Sequence, residues 1–314
     1  MRQAVALIFV ALVGSVVSLA IRRPRLDVSQ YDDDFARYKM FSFAAAAYAD
    51  KPSLCLNSAY PNEGNNSISR VIEVVCDKTK TDSCRGFTAI SHSDKAIIIS
   101  FRGTDAFLQY IQEAVDTIAP AESFIAGGYV SSYFYNAFLA VWNGGLKDDF
   151  LTLRNQNPDY EVWVTGHSLG GAMASLCASS LVHVGFAIPE KVKLVTFGQP
   201  RVGDKIYAAV HDALVPYSFR VVHNRDLVPH FPPENLPAHY LLDGYFHHKA
   251  EVFYENAMKV GDSYTVCNSH DESSKCSDGL LFTLSLLDHF RYFETQETVQ
   301  DYGEDGCPRG TVGT

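Results

Sequence analysis

Basic residues are scarce in this chain. Its 314 residues hold 26 Lys and Arg against 36 Asp and Glu, a formal net charge of −10. That deficit excludes nucleic acid as a partner, because such binding rests on neutralising phosphates with Lys and Arg. It also excludes adsorption to anionic membranes through a polybasic patch, so any lipid is met through apolar surface. Beyond the first twenty residues no apolar run approaches the roughly 20 residues of a membrane span, and no stable transmembrane anchor is expected. The short Cys-x2-4-Cys spacing of zinc sites is missing too, so no metal is expected. Internal repeats and long linkers rich in Pro, Gly or Ser are likewise absent, which leaves one domain where length alone would allow two. What is there, 47% hydrophobic and 20% charged residues, is ordinary globular composition.

Residues 1–20 read as a secretory signal, with Arg2 as the positive start, Ala4 to Val17 as the apolar stretch and Ser18-Leu19-Ala20 as the cleavage site. An uncleaved anchor is the alternative, disfavoured because the apolar stretch is short. Cleavage removes one basic and no acidic residue, deepens the charge to −11 and leaves 21–314 as the working domain. A secreted, extracellular chain permits disulfides, and Cys55, Cys76, Cys84, Cys267, Cys276 and Cys307 all lie in loop-like sequence. Many pairings are open to six cysteines; proximity favours Cys76–Cys84 and Cys267–Cys276, leaving Cys55–Cys307 to tie the chain ends. Cys177, inside the apolar run 172–184, reads as a buried free thiol. Asn65-Asn66-Ser67 is a glycosylation sequon in a polar loop.

Apolar periodicity predicts a helix over 32–50 and strands at Arg70–Val75, Phe87–Ser91, Ala96–Phe101, Val162–Thr165, Val192–Phe197 and Ser218–Val222. Helices are expected at 129–142, 168–184 and 203–214, and a strand at Glu251–Tyr254. This alternation points to an α/β domain with a mostly parallel sheet covered on both faces. The polar stretch Gly261–Gly279 reads as a surface insertion.

Chemistry concentrates first at Gly166-His-Ser168-Leu-Gly170, the nucleophile-elbow pattern, preceded by an apolar strand and followed by a helix of small residues. Side chains at the two glycine positions would clash across so tight a turn. The helix N-terminus beneath Ser168 favours developing negative charge. An elbow serine needs an acid and a base, which in α/β-hydrolases follow in that order. Asp226 lies just past the strand Ser218–Val222, at the sheet edge where open α/β folds place their sites. For the base the choice is wider. His230 is too near Asp226, His270 sits in the polar insertion, and His247 and His248 abut a strand; His289, among apolar neighbours, is favoured, with His239 also present.

Several motifs together resemble one family. Ser100-Phe-Arg-Gly-Thr-Asp105, Gly166-His-Ser-Leu-Gly-Gly171, Thr196-Phe-Gly-Gln-Pro-Arg201, Asn224-Arg-Asp-Leu-Val-Pro-His230 and Asp288-His289-x-x-Tyr292-Phe293 resemble the class 3 lipases in order and spacing, from about residue 34 to 307. This fungal-type triacylglycerol lipase family also includes feruloyl esterases. The resemblance implies an α/β-hydrolase fold with Ser168 as nucleophile, Asp226 as acid and His289 as base. It further implies an oxyanion hole from the N–H groups of Thr104 and Leu169, a similar cysteine framework, and no cofactor. One departure is Ile125-Ala-Gly-Gly-Tyr-Val130, where the family often has Val-His-x-Gly-Phe; it bears on the acyl groove and not on the triad.

Residues 107–118 form a two-faced pattern, with Phe107, Leu108, Ile111 and Val115 on the apolar side and Gln109, Gln112, Glu113 and Asp116 opposite. An ordinary surface helix has the same pattern; by resemblance the segment is a lid that opens at an oil–water interface. The expected activity is hydrolysis of lipid esters through an acyl-enzyme. A carboxylesterase or phospholipase, a serine peptidase and an inactive lipid-binding protein are the rivals.

Overall fold

The computed structural model describes residues 30–61, 63–76, 83–103, 121–234, 244–269, 272–293, 295 and 297–309. The signal segment 1–20, Thr104, the lid candidates Phe107, Leu108, Ile111 and Val115, and His239 and His270 lie outside them. Strands of nearly unbroken apolar sequence form the centre. They are β1 (Asn66–Val75), β2 (Ser83–Ser91), β3 (Ala96–Phe101), β4 (Ala121–Ser123), β5 (Tyr129–Ser131), β6 (Glu161–His167), β7 (Val192–Phe197), β8 (Tyr217–His223), β9 (Glu251–Tyr254) and β10 (Thr265–Cys267). One sheet runs in the order β1-β2-β3-β6-β7-β8-β9-β10, with β4 and β5 paired apart from it. From β3 through β9 the sheet strands are parallel, while β1, β2 and β10 join antiparallel at the edges.

Side chains alternate across this sheet with period two. The helices include α1 (Phe41–Ala46), α2 (Pro52–Ala59), α3 (Ser132–Val141), α4 (Lys147–Gln156), α5 (Leu169–His183) and α6 (Lys205–Leu214), with the short α7 (Leu286–Phe290) after them. Ile97, Ile99, Val162, Val164 and Leu194 pack on one face against α3 and α5. Ile98, Trp163, Val195, Phe197 and Val221 pack on the other against α1 (Phe41–Ala46). Both faces are covered, which is why these strands read as continuous apolar runs. The helix expected from residue 32 starts on a cap, the Asp32 carboxylate accepting from the Phe35 amide at 3.1 Å, and widens into a π turn at Ala36–Met40 before α1. Among the described residues no helix is long and apolar enough to cross a membrane.

Register places the site. Phe101 pairs with Gly166, His167 with Phe197 and Phe197 with Val221, so neighbouring parallel strands end together at one edge. Three expectations need correction. The helix expected at 129–142 begins only at Ser132, because Tyr129–Ser131 is a strand paired with Ala121–Ser123. The polar insertion supplies an edge strand, β10, whose backbone pairs with β9 whatever its side chains. The paired cysteines are not all in loops either: Cys55 lies in the helix Pro52–Ala59, Cys84 in β2 and Cys267 in β10. Disulfides join Cys55–Cys307, Cys76–Cys84 and Cys267–Cys276, the first across 252 residues of sequence. Cys177 is a buried free thiol in α5, and burial pushes its pKa far up.

Candidate active site

Ser168 occupies the turn between β6 and α5 with φ 59° and ψ −128°, a left-handed backbone that an L-residue adopts only under constraint. Its amide donates to Phe197 O at 2.9 Å, which locks the turn to β7. The glycines around it are needed for two different reasons. A Cβ on Gly166 would overlap the backbone of Gly170 across the turn, whereas one on Gly170 would overlap Phe101 O at the end of β3. The second clash is therefore with the next strand, not across the turn itself.

Asp226 follows β8 and is fully buried. Its carboxylate accepts from the Val228 amide at 2.9 Å and the Tyr292 hydroxyl at 3.0 Å, and both its oxygens lie 2.9 Å from His289 Nδ1. His289 is carried by α7 (Leu286–Phe290), whose N-cap Ser285 accepts from the Asp288 amide at 3.0 Å. This short helix is stitched to the acid's loop: the Arg225 amide donates to Asp288 Oδ2, the Ser285 amide to Arg225 O, and the Leu227 amide to Ser285 O. Gly198, with φ +56°, lies against the pair; a Cβ there would sit 2.8 Å from Asp226 Oδ2 and from the His289 ring.

His167, next to Ser168 in sequence, packs directly on His289. Its ring centroid lies 4.5 Å from that of His289. Its Nε2 is 2.7 Å from His289 O, a carbonyl that only accepts, so Nε2 carries the proton. Burial, with His289 beside it, pulls the His167 pKa well down and keeps the ring neutral. Nδ1 is then free to accept from Tyr48 OH at 2.8 Å. Among the described residues, Ser168 Oγ and His289 Nε2 are buried polar atoms without a hydrogen-bond partner. Buried polar atoms left open in this way are available to a substrate. Leu169 opens α5, so its N–H belongs to the first turn, where amides lack helical acceptors.

Three of the other candidate histidines lie among the described residues and are occupied elsewhere. His230 faces Asp278 at 3.3 Å, His247 Nε2 donates to Pro229 O, and His248 stacks on His211 with centroids 3.7 Å apart. Glu234, Glu272 and Asp278 stand close enough together to group around a cation. The Arg201 guanidinium meets all three at 3.3, 2.9 and 3.2 Å and supplies that positive charge itself. Tyr292, Tyr48, His167, Gly198 and Gly103 carried no expectation from sequence. His167, Gly198, Gly103 and Tyr292 stand inside the quoted motifs and Tyr48 in none of them; a Cβ on Gly103 would meet both Tyr48 and Ser168.

A doubly wound sheet bearing Ser, Asp and His in chain order at its carboxyl edge defines a carboxylic ester hydrolase of the α/β-hydrolase fold. Residues 98–236 match the family model for lipase (class 3). The chain is 35% identical over 301 residues to lipase ZK262.3 of Caenorhabditis elegans, covering 89% of this chain and 83% of that protein. It therefore belongs to the class 3 lipase family. It is 27% identical over 286 residues to secreted mono- and diacylglycerol lipase 1 of Fusarium solani, covering 84% of this chain and 78% of the relative. Against Rhizopus niveus lipase it is 33% identical over 218 residues, 68% of this chain and 51% of that one, so it spans about half the relative's length. The solved structure of Rhizomucor miehei triacylglyceride lipase superposes with TM-score 0.68 and 27% identity, covering 86% of this chain and 98% of the other.

Proposed function

We propose that this chain is a secreted lipase that hydrolyses acylglycerols, triacylglycerols foremost, with Ser168 as nucleophile, His289 as general base and Asp226 as the orienting acid. The observation that carries this reading is the placement of His289 Nδ1 2.9 Å from both Asp226 oxygens while its Nε2 stays unpartnered among the described residues. A carboxylate only accepts, so Nδ1 donates and the neutral ring turns its lone pair outward at Nε2. That lone pair takes the Ser168 proton as Oγ attacks the ester carbonyl. The imidazolium then protonates the leaving alcohol, and water repeats the cycle to release the fatty acid. Asp226 fixes the tautomer and stabilises the imidazolium. The N–H groups of Leu169 and Thr104 would hold the oxyanion, each donor worth about 3 kcal/mol. Each half-reaction moves one proton and one acyl group and needs no metal or cofactor.

The disulfides and the exposed Asn65 support secretion, with residues 1–20 as a removable signal, 21–314 as the mature domain and Asn65 as the glycan site. The likeness to a triacylglyceride lipase supports that substrate class. The likeness to a mono- and diacylglycerol lipase favours partial glycerides as the second reading. Rates on emulsified triolein, diolein and a soluble short-chain ester separate them. Triolein turnover that jumps above the solubility limit supports the first, and turnover confined to diolein the second. Ser168→Ala is expected to lower every rate by a factor on the order of 10⁴ or more with an unchanged melting curve. Retained turnover in pure variant would end the assignment.

A further inference from the structure

Between Cys276 of the third disulfide and Ser285, the cap of α7, the chain runs Ser-Asp-Gly-Leu280-Leu281-Phe282-Thr283-Leu284. Leu281 is 92% exposed, Leu284 75% and Phe282 66%. A single exposed apolar side chain is ordinary, but three large ones within four positions are a patch that a soluble surface normally avoids. No charged residue occurs from Gly279 through Leu287. Nor is the stretch loose: Arg225 Nη1 donates to Phe282 O at 3.4 Å, and the Ser285 amide donates to Arg225 O at 3.0 Å. The backbone is thus fastened to the loop that carries Asp226, five to eight residues ahead of His289.

We infer that Leu281, Phe282 and Leu284 form a fixed docking ridge that seats the mouth of the active site on the uncharged surface of an acylglycerol droplet; this rests on the lipase reading above. Charge selects the occupant. An acidic chain of net charge −10 is repelled by anionic surfaces, and an uncharged ridge gains nothing from them. A droplet offers apolar surface without that penalty. Position selects it too, since a partner seated elsewhere would leave the site facing water, whereas one seated here meets the loop of the acid and the helix of the base.

The test reads binding and not turnover, so it stands apart from the catalytic assignment. Ser168→Ala protein is mixed with triolein droplets and floated, with and without Leu281→Asp and Leu284→Asp together. Both side chains are mostly in water, so the melting temperature should not move. The droplet-bound fraction is expected to fall at least about tenfold, and added salt should not restore or weaken the parent's binding. Equal flotation of the two proteins would overturn the ridge while leaving ester hydrolysis by the wild type untouched. Loss of flotation together with dissociation of a dimer in sedimentation would also overturn it, because the ridge would then cover a second copy. Binding to phosphatidylcholine vesicles as strong as to droplets would assign it to membranes instead. Conversely, a wild type inert on every ester would end the lipase reading whatever the flotation result.

Discussion

At the scale of single residues, the geometry of the site depends on a few hydrogen bonds made by groups far apart in sequence. Asp226 is held by the Val228 amide, the His289 ring and the Tyr292 hydroxyl. Burial and the adjacent Asp226 carboxylate keep the Tyr292 phenol protonated, its pKa raised well above the usual range, so it always donates. Tyr292→Phe removes one donor and leaves the ring's packing. The expected loss is about 1–2 kcal/mol of transition-state positioning, a fall in kcat of roughly 5- to 30-fold. KM on a soluble ester should hold, because the hydroxyl points at Asp226 and not at substrate; a variant with wild-type kcat would show that the other two contacts suffice. Local pattern pointed to Ser168 through the elbow and to Asp226 through the end of an apolar strand, while among the histidines it only favoured His289 and the motif resemblance decided. The Tyr48–His167 contact was not legible, since it joins residues 119 apart in sequence. No spacing rule reports a bond that exists only once strands and helices have packed.

At the scale of elements, the elbow works because β6 and α5 approach β3 without intervening side chains. Gly170 has no room for a Cβ, which would meet Phe101 O and the Phe101 and Arg102 carbonyl carbons. Backbone cannot rotate away as a side chain does, so Gly170→Ala must push α5 from β3. A loss of about 2–3 kcal/mol in urea unfolding is expected, with a larger proportional loss of kcat as Ser168 shifts from His289. Gly171→Ala is the matched control: its Cβ would stand 3.2 Å from Gln199 Cβ and 3.3 Å from Gly166 O, a crowding that small shifts relieve. Equal effects of the two substitutions would refute this account. Element by element, the buried strands were the most readable part. β3, β7 and β9 have the bounds that their apolar runs predicted, because a strand covered on both faces must be apolar throughout. The short strands β4, β5 and β10 were missed or misassigned. Backbone pairing defines them, and their sequences alternate too briefly to announce it.

At the scale of the whole molecule, the fold buries several histidines, and burial shifts four of them in one direction. His167, His211, His247 and His248 are shielded from solvent, and burial pulls each pKa down, that of His211 to about 3. Neighbouring charges deepen the shift: Arg220 acts on His211 and His247, and the stacked His211 on His248. The unfolded chain takes up these protons near pH 6.5 and the native state does not, so stability is present above that pH and is lost as it falls. At pH 5 each such histidine costs about 2 kcal/mol. Glu272 acts in the opposite sense. Burial raises its carboxyl to about 7 against the pull of Arg201, so its contribution favours the folded state as the pH drops from 7 toward 5. Asp278, held below the ordinary carboxylate range partly by His230 and Arg201, changes only at lower pH. Four groups outweigh one. Melting of the disulfide-intact protein should therefore fall by on the order of 10 °C or more between pH 7 and pH 5. His211→Gln keeps a polar side chain beside Ser179 and Ser218 but cannot be protonated, so it should remove part of that slope while lowering stability at pH 7. A melting temperature equal at both pH values would mean that these rings accept protons inside the fold, and the neutral tautomer assigned to His167 at the active site would fail with it.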